Sequence, residues 1–197
     1  MILSRQEITN LSGINMIAES RRELRFFSDS TSAVKVFLSH KHEDKQVLLA
    51  IKKILEDCGA KPYVDWMDCA MPPITDATTA KMLKERIQNC QKFIFIATIA
   101  SLGSPWCNWE IGFGDAQKFN KQSIAIFPVK ENDGTWKKNE YLQQYPVIEY
   151  RDGTTFRRNG EPIQKGYYHV VKDKDGFSIP TPLKDWLLKD ISVRKVL

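Results

Sequence analysis

The chain has 197 residues and a net charge of +5, with 42% hydrophobic and 27% charged residues, a composition ordinary for one globular domain. No apolar run approaches the ~18 residues needed to span a bilayer, and the first residues lack a secretory signal, so we predict a cytoplasmic protein without a membrane partner. The mild, scattered positive charge does not indicate nucleic-acid binding.

Residues 1–33 are predicted to form a helical lead-in and a linker. Ser4 and Glu7 have the spacing of a capping box, which predicts a helix that starts near Ser4. Apolar residues between 14 and 24 recur at roughly helical spacing, and the polar run 28–32 is the predicted linker.

From residue 34 onward, strand patterns alternate with helical patterns. We predict strands at 34–39, 63–65, 92–98 and 123–129, and helices at 44–58, at 78–89 and after Ser104. The loop 66–76 contains Met71-Pro72-Pro73 and is predicted to be irregular. This alternation predicts an α/β fold, namely a flavodoxin-like three-layer sandwich with a five-stranded parallel sheet of order 2-1-3-4-5.

In that strand order the first and third strands are neighbours, and ligands bind at the carboxyl ends of such strands. Ser39 and His40 leave the first strand, and the helix that carries Trp106 and Glu110 follows the third. The loop that starts at Trp66 follows the second strand. We therefore expect these three segments to meet at one crevice.

After about residue 130 the pattern changes, because Gly-containing turn signals become frequent. The segments 147–150 and 167–171 are predicted strands, one of them the fifth strand of the sheet. We predict a small β-rich C-terminal extension over 130–180 and a closing helix over 182–191.

Metal and cofactor sites are not predicted. The spacing His40-x-His42-x-Asp44 resembles part of a metallohydrolase ligand set, but Lys45 stands where a further histidine would be needed. Neither glycine-rich phosphate loop follows any strand, which excludes a Rossmann-type or P-loop cofactor site. The cysteines form no C-x-x-C pair and are predicted to be reduced thiols: Cys58, Cys69, Cys90 and Cys107.

The segment 104–110 is the strongest candidate for chemistry. Ser104 can cap a helix whose first residue is Pro105, and Trp106 and Glu110 then share one helix face. The simpler interpretation is a packed tryptophan and a solvated carboxylate. However, a glycosidic bond to a cationic pyridinium, as in NAD, needs no protonation of its leaving group, so one carboxylate that stabilises the oxocarbenium ion can be sufficient.

These features together resemble a Toll/interleukin receptor (TIR) domain. The similarity is carried by the strand 34–39 with His40 and Glu43-Asp44, by the strand that ends in Asp65, by the Pro-containing loop, and by Ser104-x-Trp106-Cys107-x-x-Glu110. It covers about 34–129 and, more weakly, 130–191. The sequence therefore predicts a TIR domain over 34–197.

The resemblance implies that Glu110 is the catalytic residue that cleaves the nicotinamide–ribose bond of NAD. It implies these substrate-binding residues: Phe37, Ser39, His40, Asp65, Trp66 and Trp106. Among them, Phe37 and Ser39 match positions on the nicotinamide side. Asp65 and Trp66 begin the family's BB loop, which gates the site and mediates assembly.

The chain looks most like prokaryotic stand-alone TIR proteins, including those of the Thoeris type. This implies NAD as substrate, no further cofactor, and a linear, cyclic or conjugated ADP-ribose signal in anti-phage defence. It also implies self-association through TIR surfaces, with a downstream effector that senses the product. Two alternatives stay open: a non-enzymatic TIR adaptor that acts through its BB loop, and a nucleoside deoxyribosyltransferase-like enzyme.

Overall fold

A computed structural model describes residues 1–14, 33–71, 77–137 and 139–189 of the chain. The predicted linker, Pro72-Pro73 and the end of the last predicted helix lie outside these residues. The strands are β1 (Leu3–Ser4), β2 (Val34–Ser39), β3 (Ala60–Tyr63), β4 (Lys92–Ala97), β5 (Ile124–Lys130), β6 (Val147–Arg151), β7 (Gly166–Lys172) and β8 (Ser178–Pro182). The helices are α1 (Arg5–Ser12), α2 (Lys45–Asp57), α3 (Ala77–Asn89), α4 (Ile99–Leu102), α5 (Pro105–Lys118) and α6 (Leu183–Leu188).

All of these strands belong to one mixed sheet. Its order is β3-β2-β4-β5-β6-β7-β8, and β1 lies beside β5. The pairs from β3 to β6 are parallel, whereas β6, β7 and β8 pair antiparallel. The prediction of a five-stranded parallel sheet of order 2-1-3-4-5 is therefore wrong for the whole sheet. Antiparallel strands can join its edge through loops and turns, because antiparallel pairing needs no crossover helix.

Helices cover both faces of the sheet. One face buries Val36 and Leu38 of β2 against α1, α2 and α6, while the other buries Phe37 and Phe93 against α3 and α5. Every residue of β4 is buried, as expected for a central parallel strand with helices on both sides. Within the described residues, no helix has the length and apolar character needed to cross a membrane.

The N-terminal residues form part of this sheet. The Met1 ammonium donates to the Tyr150 carbonyl oxygen at 2.6 Å, and the Tyr150 N–H donates to the Met1 carbonyl oxygen at 3.1 Å. β1 also pairs with β5 at Val129. The capping box of Ser4 and Glu7 is confirmed and begins α1 directly after β1. The sequence did not predict β1, because two residues are too few for a strand pattern.

Helix α5 begins as predicted and packs closely on β4. The Ser104 hydroxyl accepts from the Cys107 N–H at 3.4 Å, and Pro105 is the first helical residue. A Cβ added to Gly114 would lie 2.8 Å from the Phe93 ring, whereas a Cβ added to Gly112 would meet nothing within 4 Å. Glycine is therefore needed for close packing at position 114 only.

Candidate active site

The carboxyl ends of β2 and β4 bring Ser39 and Glu110 together. β2 and β4 are neighbours, with Ser39 in register with Phe95, and α5 returns across this edge. The Ser39 hydroxyl donates to Glu110 Oε2 at 2.6 Å. Glu110 is only 6% exposed and Ser39 is fully buried. The expectation that Ser39 and the helix after the third strand meet at this edge is confirmed.

The environment of Glu110 disfavours its charged form. Burial raises the pKa of Glu110 to about 8; the hydrogen bond from Ser39 lowers it, and the nearby charge of Asp65 raises it. Burial therefore favours the neutral carboxyl group near pH 7. A cation bound beside it would favour the carboxylate, because an opposite charge stabilises the ionised form.

His40 and Trp66 join the end of β2 to the segment after β3. Trp66 Nε1–H donates to His40 Nε2 at 3.0 Å, so Nε2 carries no proton. His40 Nδ1 then carries the proton and donates to the Leu38 carbonyl oxygen at 3.0 Å. Asp65 Oδ1 lies 3.5 Å from the same Nε2. Asp65 itself follows β3 in a 3-10 turn, Asp65–Met67, and not in a strand as predicted.

The rest of this segment is anchored to α3. Asp68 accepts from the Tyr63 hydroxyl at 2.8 Å, from Arg86 Nε at 2.9 Å and from the Ala70 N–H at 3.0 Å. The Lys45 ammonium lies 4.5 Å from the centre of the Trp66 ring. These contacts fix the start of the predicted BB loop next to the site.

Phe37 and Trp106 are placed differently from the other candidates. Phe37 is 1% exposed and stacks between Tyr63 and Phe93, with both ring centroids 5.5 Å away. Trp106 is 38% exposed and packs edge-on against Trp109 at 5.4 Å. It lines a groove of about 330 Å³ between α3 and α5, and Glu110 is not part of that lining.

The ion pair of the buried Asp44 was not predicted. Asp44 is 1% exposed, pairs with Arg5 Nη2 at 2.6 Å and accepts from Thr98 Oγ1 at 2.5 Å. Arg5 also donates to Glu131 at 2.7 and 3.0 Å. Asp44 directly precedes α2, but its side chain makes no capping bond. No sequence signal links Arg5 to Asp44, because only the position of β1 brings them together.

The histidine motif and the cysteines have other partners. The His42 ring packs edge-on against Trp66 at 6.3 Å, while His40 and Asp44 make the separate contacts given above. In the described ranges, no three His, Cys, Asp or Glu residues lie close enough together to hold a metal ion. Cys107 donates to the His40 carbonyl oxygen at 3.1 Å, and burial raises the pKa of its thiol to about 12. All four cysteines are free, as predicted.

The chain is similar to several known proteins. The chain is 33% identical over 139 residues to "Probable 3' cyclic ADP-D-ribose synthase ThsB'" of Bacillus cereus (strain MSX-D12). The aligned residues cover 68% of this chain and 69% of that protein. It is 30% identical over 121 residues to "Putative cyclic ADP-D-ribose synthase TIR2" of Cytobacillus dafuensis, covering 60% of this chain and 31% of that longer protein. A solved prokaryotic SEFIR domain aligns with a TM-score of 0.40 at 12% identity, over 60% of this chain and 88% of that one. Residues 36–163 match the TIR domain family, and the chain therefore belongs to that family.

Proposed function

We propose that the chain is a TIR enzyme that cleaves the nicotinamide–ribose bond of NAD and releases an ADP-ribose-derived signal. The observation that carries this proposal is Glu110, a buried carboxyl group held by Ser39 at the carboxyl ends of β2 and β4. Two relatives are named as cyclic ADP-D-ribose synthases, which supports a cyclic product. These names also favour an enzyme over a purely adaptor role.

The chemistry needs one carboxylate. Nicotinamide leaves NAD as a neutral molecule from a cationic pyridinium, so no acid has to protonate it. Positive charge develops on the ribose as the bond breaks, and the Glu110 carboxylate stabilises it in a site that excludes water. The cation is then captured by water or by a nucleophile of the same molecule, and the second route gives a cyclic product.

The raised pKa of Glu110 fits this substrate. Burial favours the neutral carboxyl group, and the neutral form limits the free-energy cost of burying it. When the pyridinium cation binds, its charge lowers the pKa of Glu110 and the catalytic carboxylate forms. The substrate thus generates the charge that the reaction requires.

The neighbouring residues are proposed to bind NAD in different ways. Ser39 orients Glu110, while His40, Asp65 and Trp66 border the same edge of the sheet. Because Glu110 is 6% exposed, NAD can reach it only when part of this cover moves. The segment that begins at Asp65 is the proposed gate.

Phe37 and Trp106 have less direct roles in this proposal. Phe37 supports the end of β2 from within an aromatic stack. Trp106 is proposed to contact the more distant part of NAD, since it is partly exposed on the first turn of α5.

The wider setting follows the resemblance to Thoeris TIR proteins. We place the chain in the cytoplasm in bacterial anti-phage defence, where it self-associates through TIR surfaces and supplies its product to a downstream effector. NAD is the substrate, and no metal or further cofactor takes part in the proposed reaction.

The test is nicotinamide release from NAD, followed by chromatography, with the product identified by mass spectrometry. Glu110→Gln should abolish release, while the matched variant Glu85→Gln, on the exposed side of α3, should match the wild type. The assay is run over a range of protein concentrations and in infected cells, because assembly can be required. Unchanged release by Glu110→Gln, or no NAD loss in any setting, would contradict the proposal.

A further inference from the structure

A second concavity lies on the β-rich extension. It has a volume of about 560 Å³ and is formed between the segment 151–163 and strand β8. This volume lies within the roughly 300–1,000 Å³ typical of small-molecule sites. The cavity shares no lining residue with the Glu110 site. It is therefore a separate feature that the proposed reaction does not explain.

Three arginines and no acidic residue line this cavity, namely Arg151, Arg157 and Arg158. Arg151 is partly neutralised, because its Nη2 lies 2.9 Å from Glu149. Arg157 makes one long hydrogen bond to the Pro180 carbonyl oxygen at 3.4 Å. Two guanidinium groups thus keep most of their donors for a ligand, and their planar forks match the oxygens of phosphate groups.

Two buried polar atoms of the lining residues have no partner. Arg151 Nε and Thr155 Oγ1 are inaccessible and make no hydrogen bond. Buried polar groups in proteins are nearly always paired, since an unpaired one costs free energy. Both atoms are shielded from the cavity, so the contacts to a ligand have to come from the accessible guanidinium groups and the exposed ring.

The cavity also has an aromatic side. Phe156 lines it with 66% of its surface exposed, and its backbone is held by a bridge to Pro162. The Arg158 guanidinium lies over the ring of Phe177, 4.8 Å from its centre, so that ring already has a cation–π contact. Phe156 is therefore the ring that remains free to stack on a planar base.

We propose that this cavity binds a nucleotide that carries at least two phosphates. Arg157 and Arg158 hold the phosphate oxygens, and the base stacks on Phe156. Phosphate contacts and a stacking ring in one small cavity favour a small nucleotide over an acidic protein partner. The substrate and the products of the proposed reaction belong to this chemical class, so the site can sense their concentration.

The test is isothermal titration calorimetry on the full-length Glu110→Gln protein, with ADP-ribose, ADP, adenosine and inorganic pyrophosphate as probes. ADP-ribose and ADP should bind at least tenfold more tightly than adenosine or pyrophosphate. The double variant Arg157→Gln/Arg158→Gln should weaken ADP binding at least tenfold. Phe156→Ala should weaken ADP more than pyrophosphate.

The control is Lys172→Gln/Lys174→Gln, which removes the same charge from an exposed part of the same extension. Equal weakening by both double variants would show general electrostatic attraction and overturn the proposal. ADP binding that persists without the two arginines would belong to the Glu110 crevice and would also overturn it. Arg157→Lys/Arg158→Lys keeps the charge at both positions. If it and Arg157→Gln/Arg158→Gln melt at the temperature of the parent protein, unfolding is excluded as the cause of weaker binding. The experiment measures nucleotide binding, so its result does not depend on whether the chain cleaves NAD.

Discussion

The parallel half of the sheet and its antiparallel extension build their concave sites in different ways. Around Glu110, the side chains come from the ends of β2 and β3 and from α5. Ser39 and Glu110 are buried and hydrogen-bonded to each other, and Trp66 donates to the partly buried His40. The cavity of the extension is lined by residues of 151–163 and 178–180, with the exposed ring of Phe156 and the guanidinium groups of Arg157 and Arg158. Parallel topology gathers distant residues at one protected edge, whereas antiparallel turns keep a site local and open.

The largest effect on activity is expected from loss of the hydrogen bond between Ser39 and Glu110 in the parallel half of the sheet. Ser39→Ala should lower kcat/KM for NAD about tenfold to a hundredfold, since a hydrogen bond to a charged group contributes about 1.5–3 kcal/mol. That hydrogen bond lowers the pKa of Glu110, so its loss should also move the pH profile of kcat/KM to higher pH, from a midpoint near 8.

Ser39→Thr keeps the hydroxyl group and should retain most of the activity and the original midpoint. The measurement is the initial rate of nicotinamide release between pH 6 and 9. An unchanged midpoint in Ser39→Ala would show that Glu110 does not control the pH profile. The buried Ser39–Glu110 contact would then not distinguish the parallel half from the extension in function.

The second prediction tests how tightly the parallel half is packed. Gly114→Ala should destabilise the fold by about 1–3 kcal/mol, because its Cβ would lie 2.8 Å from the fully buried Phe93 ring. Gly112→Ala, on the exposed side of the same helix, should be neutral or stabilise by up to about 1 kcal/mol. Chemical denaturation of both variants measures the difference. Equal effects would mean that α5 can shift freely on β4.

The smallest effect concerns the extension. His169 on β7 stacks on Trp186 at 4.5 Å, and its Nε2 has no partner. Burial, followed by the charges of Lys92 and Lys189, lowers the pKa of His169 from 6.5 to about 4. The unfolded chain therefore binds more protons between these values, and this contribution to stability is present above pH 6.5 and is lost as the pH falls toward 4.

His169→Phe keeps the stacking and removes the titration. Relative to this variant, the wild type should lose about 1 kcal/mol of stability between pH 8 and pH 6. Denaturation at the two pH values gives the difference, and NAD cleavage at pH 8 should be unchanged. If His169→Phe lost as much stability as the wild type between pH 8 and pH 6, the pH dependence would come from another group in the molecule.

The sequence predicts those parts of the site that depend on residues close together in the chain. Ser104 and Pro105 predict the start of α5 because capping depends on neighbouring residues alone. The apolar run of β4 predicts a central strand, and the alternation of strands and helices predicts that β2 and β4 meet. The shared helix face of Trp106 and Glu110 was less informative, since Trp106 lies partly exposed in a groove beside Trp109.

The sequence by itself determined the family, the alternation of strands and helices from β2 to β5, and Glu110 as the candidate catalytic residue, because these depend on local patterns and on short motifs. Only the tertiary structure decided that β1 joins the sheet, that Arg5 pairs with the buried Asp44, and that β7 and β8 extend the parallel strands. It also decided that Trp66 bonds to His40. Contacts between residues far apart in the chain leave no periodic signal, since they exist only once the sheet has assembled around them.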